Sequence, residues 1–145
     1  MPKLKYPKKH NPKSYYINPK IEARASKLHG VGVYAKKDIK KHEVLEECHF
    51  VLLKTDWKSA PKPLWEYIFA WTKELPDSRS KAALVFGLGA VYNSSNKNNA
   101  DWKTDKKRNR FVYYAIKKIK KGSEILIDYG SEYWDTREIK YKKEK

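Results

Sequence analysis

Apolar and polar residues alternate in short bursts along this chain, with few of the longer periods that mark helices. "IEARAS" (21–26) alternates like a short strand, "KLHGVG" (27–32) is a turn, and "VYAKKDI" (33–39) is a second strand. A basic turn, "KKHE", leads into "VLEECHFVLL" (44–53), which the pattern predicts as one longer strand. "PKPLWEYIFAW" (61–71) differs in kind: Leu64, Ile68 and Trp71 recur at i, i+4 and i+7, and Pro63 suits a first helical turn. That spacing predicts a helix. "TKELPDSRS" reads as a connecting loop, after which "AALVFGLGAVY" (82–92) is apolar and breaks sharply into "NSSNKNN" (93–99). "RFVYYAI", a turn "KKIKKGSE" and "ILIDYG" predict two further strands, and "SEYWDTREIKYKKEK" a closing helix.

The pattern contains one echo. "YAKKDIKKHEVL" (34–45) and "YAIKKIKKGSEIL" (114–126) share Tyr-Ala, Ile-Lys-Lys and Glu-x-Leu, offset by 80 residues up to the lysine pair and 81 after it. The spacing places one added residue in the second turn. Two copies make no solenoid. They suggest small sheets with similar corners, in competition with coincidence in a lysine-rich chain. The fold class expected is mostly β with few short helices.

Composition adds charge and bulk. Aromatic residues make up 14% of 145 residues, too many for a disordered chain and enough for one folded domain. Lys and Arg number 33 against 17 Asp and Glu, a formal +16, which favours polyanions and acidic surfaces as partners. Cys48 stands alone, so no internal disulfide and no thiol-rich zinc site is expected; a buried, unreactive thiol is its ordinary reading. With no apolar stretch of signal or membrane-span length, the expectation is a soluble intracellular protein with no membrane partner, the nucleus or a host nucleus included among its compartments. Three regions are expected: a basic extended arm over 1–18, a domain over 19–134 and a basic, helical tail over 135–145.

Three stretches carry candidate chemistry. "GVGVYA" places Gly30 and Gly32 between strands, where a missing Cβ lets backbone groups approach a ligand. It lacks the third glycine of a dinucleotide fingerprint, and no P-loop is present. Asn93 opens a polar loop at the edge of an apolar run, and its amide both donates and accepts. "GSEILIDYG" brings Asp128, Tyr129 and Gly130 to a strand end, with Tyr133 and Trp134 close behind.

Taken in order, these stretches resemble the SET-domain protein lysine methyltransferases, from about Ile21 to Trp134. "GVGVYA" is similar to the family's glycine pair, "NSSNKNN" to its Asn-His-Ser-x-x-Pro-Asn, and "GSEILIDYG" to its Gly-Glu-Glu-Leu-x-x-x-Tyr-Gly. The flanks "EYIFAW" and "YGSEYW" look like the minimal SET proteins of large DNA viruses and some bacteria. The resemblance implies a fold of small sheets with a knot-like C-terminal segment. It implies S-adenosylmethionine as cofactor, with no metal. The implied cofactor-binding residues are Gly30, Val31, Gly32, Tyr34, Asn93, Ser94, Tyr129 and Trp134, with Tyr129 the catalytic tyrosine. Ile127 and Tyr133 would line the substrate channel. The implied substrate is a lysine of a basic protein, a histone or histone-like one, with nucleosome or DNA contact through the positive charge and a homodimer among the ways of closing the site.

The chain departs from the pattern at Ser94, where the family has His, and at Asn98, where it has Pro. Weaker cofactor binding follows, and an inactive SET-fold scaffold becomes an alternative. Ile127 replaces an aromatic residue common in relatives and leaves the number of methyl groups open. Glu46, Glu47, Asp128, Glu132 and Asp135 are candidates for an acidic rim that would receive a basic peptide. A rival from another class is a nucleic-acid-binding module built on "KTDKKRNRFVYY" (103–114), with lysines beside aromatics suited to stacking on bases.

Overall fold

A computed structural model describes residues 3–28, 30–53, 60–64, 67–71 and 81–128. Among these residues ten strands form three small sheets: β1 (Ile21–Ala25), β2 (Val31–Ala35), β3 (Val44–Cys48), β4 (Phe50–Leu52), β5 (Ile68–Ala70), β6 (Ala82–Val85), β7 (Asn93–Ser94), β8 (Ala100–Asp105), β9 (Arg110–Ala115) and β10 (Glu124–Ile127). The first sheet runs β1-β2-β10-β7, the second β3-β9-β8, the third β4-β6-β5. Pairing is antiparallel except between β10 and β7, where Leu126 and Ile127 lie parallel to Asn93 and Ser94. Between the sheets lies a core in which Val33, Leu45, Phe111, Tyr113, Ile125 and Ile127 are fully enclosed. No helix among the described residues is long and apolar enough to cross a membrane.

Two of the expected elements take another form. In place of the helix expected over 61–71, the described residues hold a 3-10 turn, Lys62–Leu64, and then β5. The reason is that β5 is covered on both faces. Ile68 packs with Ala60 and Ala82 in a minor cluster, while Phe69 enters the main core, its ring edge-on to Trp102 at 5.3 Å. A strand buried on both sides shows a continuous apolar run, which mimics helical spacing over so short a length. The single strand expected over 44–53 is instead β3 and β4, broken at exposed His49. β3 pairs with β9 and β4 with β6, so this break passes the chain from the second sheet to the third.

The echo is structural. Ile39 and Ile119, both buried, exchange backbone hydrogen bonds of 2.8 and 2.9 Å. Around them the bonds are reciprocal: His42 N–H donates to Ala115 O and Gly122 N–H to Ala35 O, while Ala115 N–H donates to Glu43 O and Ala35 N–H to Ser123 O. The turns match as well. Glu43 N–H donates to Lys40 O and Ser123 N–H to Lys120 O, with positive φ at His42 (68°) and Gly122 (88°). The two corners are thus related by a local twofold axis at a constant offset of 80 residues. The sequence spacing put an added residue in the second turn; the two turns are in fact equal. Beyond the corners, a bulge between Val44 and Glu46 shifts the register of β3, in the opposite sense to the sequence spacing.

The arm before β1 is stitched to the second sheet. Lys5 bridges Glu43 and Ile17 bridges Glu46. The Tyr6 hydroxyl donates to Glu47 Oε2 at 2.7 Å, Tyr16 N–H donates to Glu47 Oε1, and Arg110 donates to Ser14 O at 2.9 Å. Arg108 closes the set, donating to Glu47, to the Tyr6 hydroxyl and to Pro12 O. The expected C-terminal helix, the knot-like segment and the tail over 135–145 lie outside the described residues.

Candidate functional site

The three motifs meet in the first sheet. Gly30 sits in the bend before β2, with φ of 47° and nothing within 4 Å of where a Cβ would project. Val31, the first residue of β2, is 55% exposed, a large apolar side chain standing at the edge of open space. Gly32 is buried and closely approached: an added Cβ would strike Oε2 of Glu124 and lie 3.0 Å from Nδ2 of Asn93. That contact explains why β2 tolerates a glycine in its interior, where the residue ordinarily weakens a strand.

Glu124, at the start of β10, is the hub. Its carboxylate accepts from Asn93 Nδ2 at 2.7 Å, from the Tyr34 hydroxyl at 3.1 Å and from the Ser26 hydroxyl at 2.8 and 3.0 Å. Asn93 Nδ2 also approaches Val31 O at 3.3 Å. Both bonds use the amide's donor end, which fixes how the side chain is turned. Tyr34 is buried and carries the Arg24 guanidinium over its ring at 3.9 Å.

Strand β7 holds the next two residues in register. Asn93 is half-buried and Ser94 is buried, opposite Leu126 and Ile127 of β10. The loop that follows is braced by its own side chains. Lys97 N–H donates to Ser95 Oγ at 3.0 Å, and Asn98 Nδ2 donates to Ala100 O at 2.9 Å. At position 98, a side-chain tie to the backbone takes over the stiffening that proline gives by fixing φ. Asn99 then acts as a surrogate strand: its Nδ2 donates to Glu124 O at 2.9 Å, and its Oδ1 accepts from Leu126 N–H at 2.8 Å.

Gly30, Val31, Gly32, Tyr34, Asn93 and Ser94 therefore share one neighbourhood. Ile127 pairs with Ser94 but its side chain is fully enclosed in the core. Tyr129, Tyr133 and Trp134 lie outside the described residues. Sequence reasoning missed Glu124, Ser26 and Asn99 as site-building residues. Asn99 was legible as the last residue of the second motif, and Glu124 as the acid of the third. Their partners, 31 and 25 residues away in the chain for the Asn93 and Asn99 contacts, were not legible.

Two expectations fall here. Glu46 and Glu47 form no acidic rim, because neighbours on opposite sides of β3 bury both. Glu46 accepts from the Tyr92 hydroxyl at 2.8 Å and from Leu88 N–H, and burial pushes its carboxyl pKa above the usual range. Glu47 is taken up by Arg108, Arg110 and the arm. Nor do the aromatics of 103–114 offer a stacking platform, since Phe111, Tyr113 and Tyr114 are buried in β9. Cys48 is buried, as its sequence setting suggested, and burial foremost, then the Glu46 carboxylate, raises its pKa far above that of a free thiol. It is an inert thiol. Among the described residues, no three His, Cys, Asp or Glu side chains are grouped to hold a metal ion.

Comparisons with known proteins agree on one family. The family model described as SET domain matches residues 30–130. The chain is 29% identical over 121 residues to a Schizosaccharomyces pombe protein named histone-lysine N-methyltransferase, H3 lysine-37 specific, covering 81% of this chain and 78% of that one. The crystal structure of a Plasmodium falciparum candidate histone methyltransferase superposes with a TM-score of 0.65 at 31% identity, covering 81% of this chain and 99% of the other.

Proposed function

The chain belongs to the SET domain family, and from that premise we propose that it is an S-adenosylmethionine-dependent protein-lysine N-methyltransferase acting on a histone or histone-like protein. The observation that carries the reading is the Gly32–Glu124–Asn93 contact: a glycine without room for a side chain, packed on a carboxylate that turns an asparagine amide. Two named relatives in histone methylation support the substrate class.

The residues fit the cofactor. The open backbone at Gly30 and Val31 would meet its amino-acid end together with Asn93, whose amide Glu124 has already oriented. The backbone of Ser94 would meet the adenine, so the loss of the family's histidine removes a ring more than a contact. Tyr34 supports this floor through Glu124. Bound there, the cofactor supplies a methyl group already activated on a sulfonium.

What remains for the protein is positioning and desolvation. A free lysine has a pKa of about 10.4, so presenting it neutral at pH 7 costs roughly 4 to 5 kcal/mol. A narrow channel lined by Tyr129 and Tyr133, as the family resemblance implies, would lower that cost by excluding water and, facing a sulfonium, by like-charge repulsion. The Tyr129 hydroxyl would orient the amine, and Trp134 would cover the cofactor. Closure by a second copy of the chain belongs to the same reading.

The test is transfer of isotope from labelled S-adenosylmethionine to core histones, nucleosomes and the protein itself, with Tyr129→Phe alongside. Label entering histone in the parent, and falling at least a hundredfold in the variant, is the expected result. Histone left unlabelled under saturating cofactor would overturn the substrate assignment. Absence of cofactor binding in a titration would overturn the reaction itself.

A further inference from the structure

The twofold-related corners carry more charge than the fold requires. Between Ala35 and Glu43 stand Lys36, Lys37, Lys40 and Lys41; between Ala115 and Ser123 stand Lys117, Lys118, Lys120 and Lys121. All eight side chains are exposed. The fold accounts for the other residues of the echo. Ile39 and Ile119 are the buried pair at the axis, and Gly122 with His42 supplies the positive φ of each turn. Nothing in the hydrogen-bonding asks for lysine at the remaining positions. Eight like charges on two adjoining segments repel one another and cost stability.

Among the described residues, little offsets that charge. Asp38 is the one acid on the two corners; it lies 3.9 Å from Lys118, both of them mostly exposed, and accepts from Lys121 N–H. Of the flanking acids, Glu43 is engaged by Lys20, by Asn18 and by the Lys40 backbone, and Glu124 by Asn93, Tyr34 and Ser26. The backbone beneath is held by reciprocal hydrogen bonds on both sides of the axis. A surface presenting its charge this way spends little further backbone entropy on binding.

From this arrangement we infer that the paired corners, Lys36–Lys41 and Lys117–Lys121, form a docking surface for the phosphate backbone of duplex DNA. The two strands of a duplex are themselves related by local twofold axes, and a protein's twofold symmetry is commonly matched to them. Lysine suits this role as a point charge to phosphate, giving affinity and orientation without sequence preference. The corners join β2 to β3 and β9 to β10, beyond the far end of β2 from Gly30. A strongly basic enzyme repels a free basic tail, and a surface for the DNA that such a tail lies on would reverse that handicap. The inference concerns binding alone, so its fate and that of the methyl-transfer reading are separable.

The experiment is fluorescence anisotropy of a labelled duplex of random sequence, without cofactor, across a salt series. The parent is compared with Lys40→Ala/Lys41→Ala/Lys120→Ala/Lys121→Ala and with a charge-matched arm variant, Lys3→Ala/Lys8→Ala/Lys9→Ala/Lys13→Ala. Thermal unfolding establishes that all three are folded. Because each lysine on a phosphate contributes about one to the slope of log affinity against log salt, the corner variant is expected to lose about 4 from that slope. Its affinity should fall more than tenfold, while the arm variant changes less than threefold. Equal losses in the two variants would assign binding to diffuse net charge and overturn the proposal. So would tighter binding to single-stranded DNA or to a polyglutamate chain than to the duplex, or no binding by the parent.

Discussion

At the scale of single residues, the first sheet turns on a glycine, an asparagine and a glutamate with no space between them. Gly32→Ala would drive its new methyl group into Oε2 of Glu124 and against Asn93. The carboxylate is the far end of a flexible side chain and can retreat, so the fold should survive with about 1–3 kcal/mol of overpacking strain. The retreat lets go of the asparagine amide. Affinity for S-adenosylmethionine, measured by calorimetric titration, is expected to fall at least tenfold, and parent-like affinity would show that Glu124 does not set Asn93. At this scale the sequence was generous: Gly30, Gly32, Asn93 and Cys48 were picked out by residue type and setting. Glu46 and Glu47 were misread because an acid pair looks solvated until its partners are known. Those partners, Tyr92 on one face of β3 and Tyr6, Arg108 and Arg110 on the other, are remote in sequence.

At the scale of elements, β10 depends on a side chain where a strand would otherwise lie. Asn99 gives Glu124 O a donor and Leu126 N–H an acceptor, and Leu126 is buried. Asn99→Ala leaves both groups unsatisfied, at about 1–3 kcal/mol for each buried polar atom. Asn99→Asp keeps the acceptor and loses the donor, so its loss should fall between. Urea unfolding of the three proteins checks the order; an alanine variant as stable as the parent would mean that water replaces the clamp. Strand positions were legible in β1, whose apolar residues alternate with polar ones even though only Ile21 among them is buried. They were lost in β5, where both faces are covered, and at His49, where a continuous apolar run hides a change of sheet. The corners sat between these cases. The echo revealed that they are alike, but only the Ile39–Ile119 pairing fixes the offset at 80 throughout.

For the whole molecule, the seam between arm and body has a pH dependence. Burial, and after it the hydrogen bond and charge of Glu47, push the Tyr6 hydroxyl up to about 12. An acid whose pKa is raised by folding keeps its proton longer in the native state, so stability falls as pH rises from the ordinary tyrosine value of about 10 towards 12. Tyr6→Phe lacks that proton. It should be less stable at pH 8, having lost the bond to Glu47, and should lose less on going to pH 11.5. Urea midpoints at the two values test this, and identical losses in parent and variant would place the alkaline weakness elsewhere.

The order of strands in the first sheet, β1-β2-β10-β7, also bears on how the protein comes to exist. A ribosome releases β2 some 90 residues before β10, and β7 has no partner in this sheet until β10 arrives. The hairpins β1–β2 and β8–β9 can close locally while the chain is still being made. The contacts among Gly32, Asn93 and Glu124 cannot. Such long-range pairing is the slow class of folding event, on the millisecond-to-second scale for small domains. The proposed site therefore assembles last, after synthesis has passed Ile127, and a chain halted short of that point holds two of the three motifs and cannot join them.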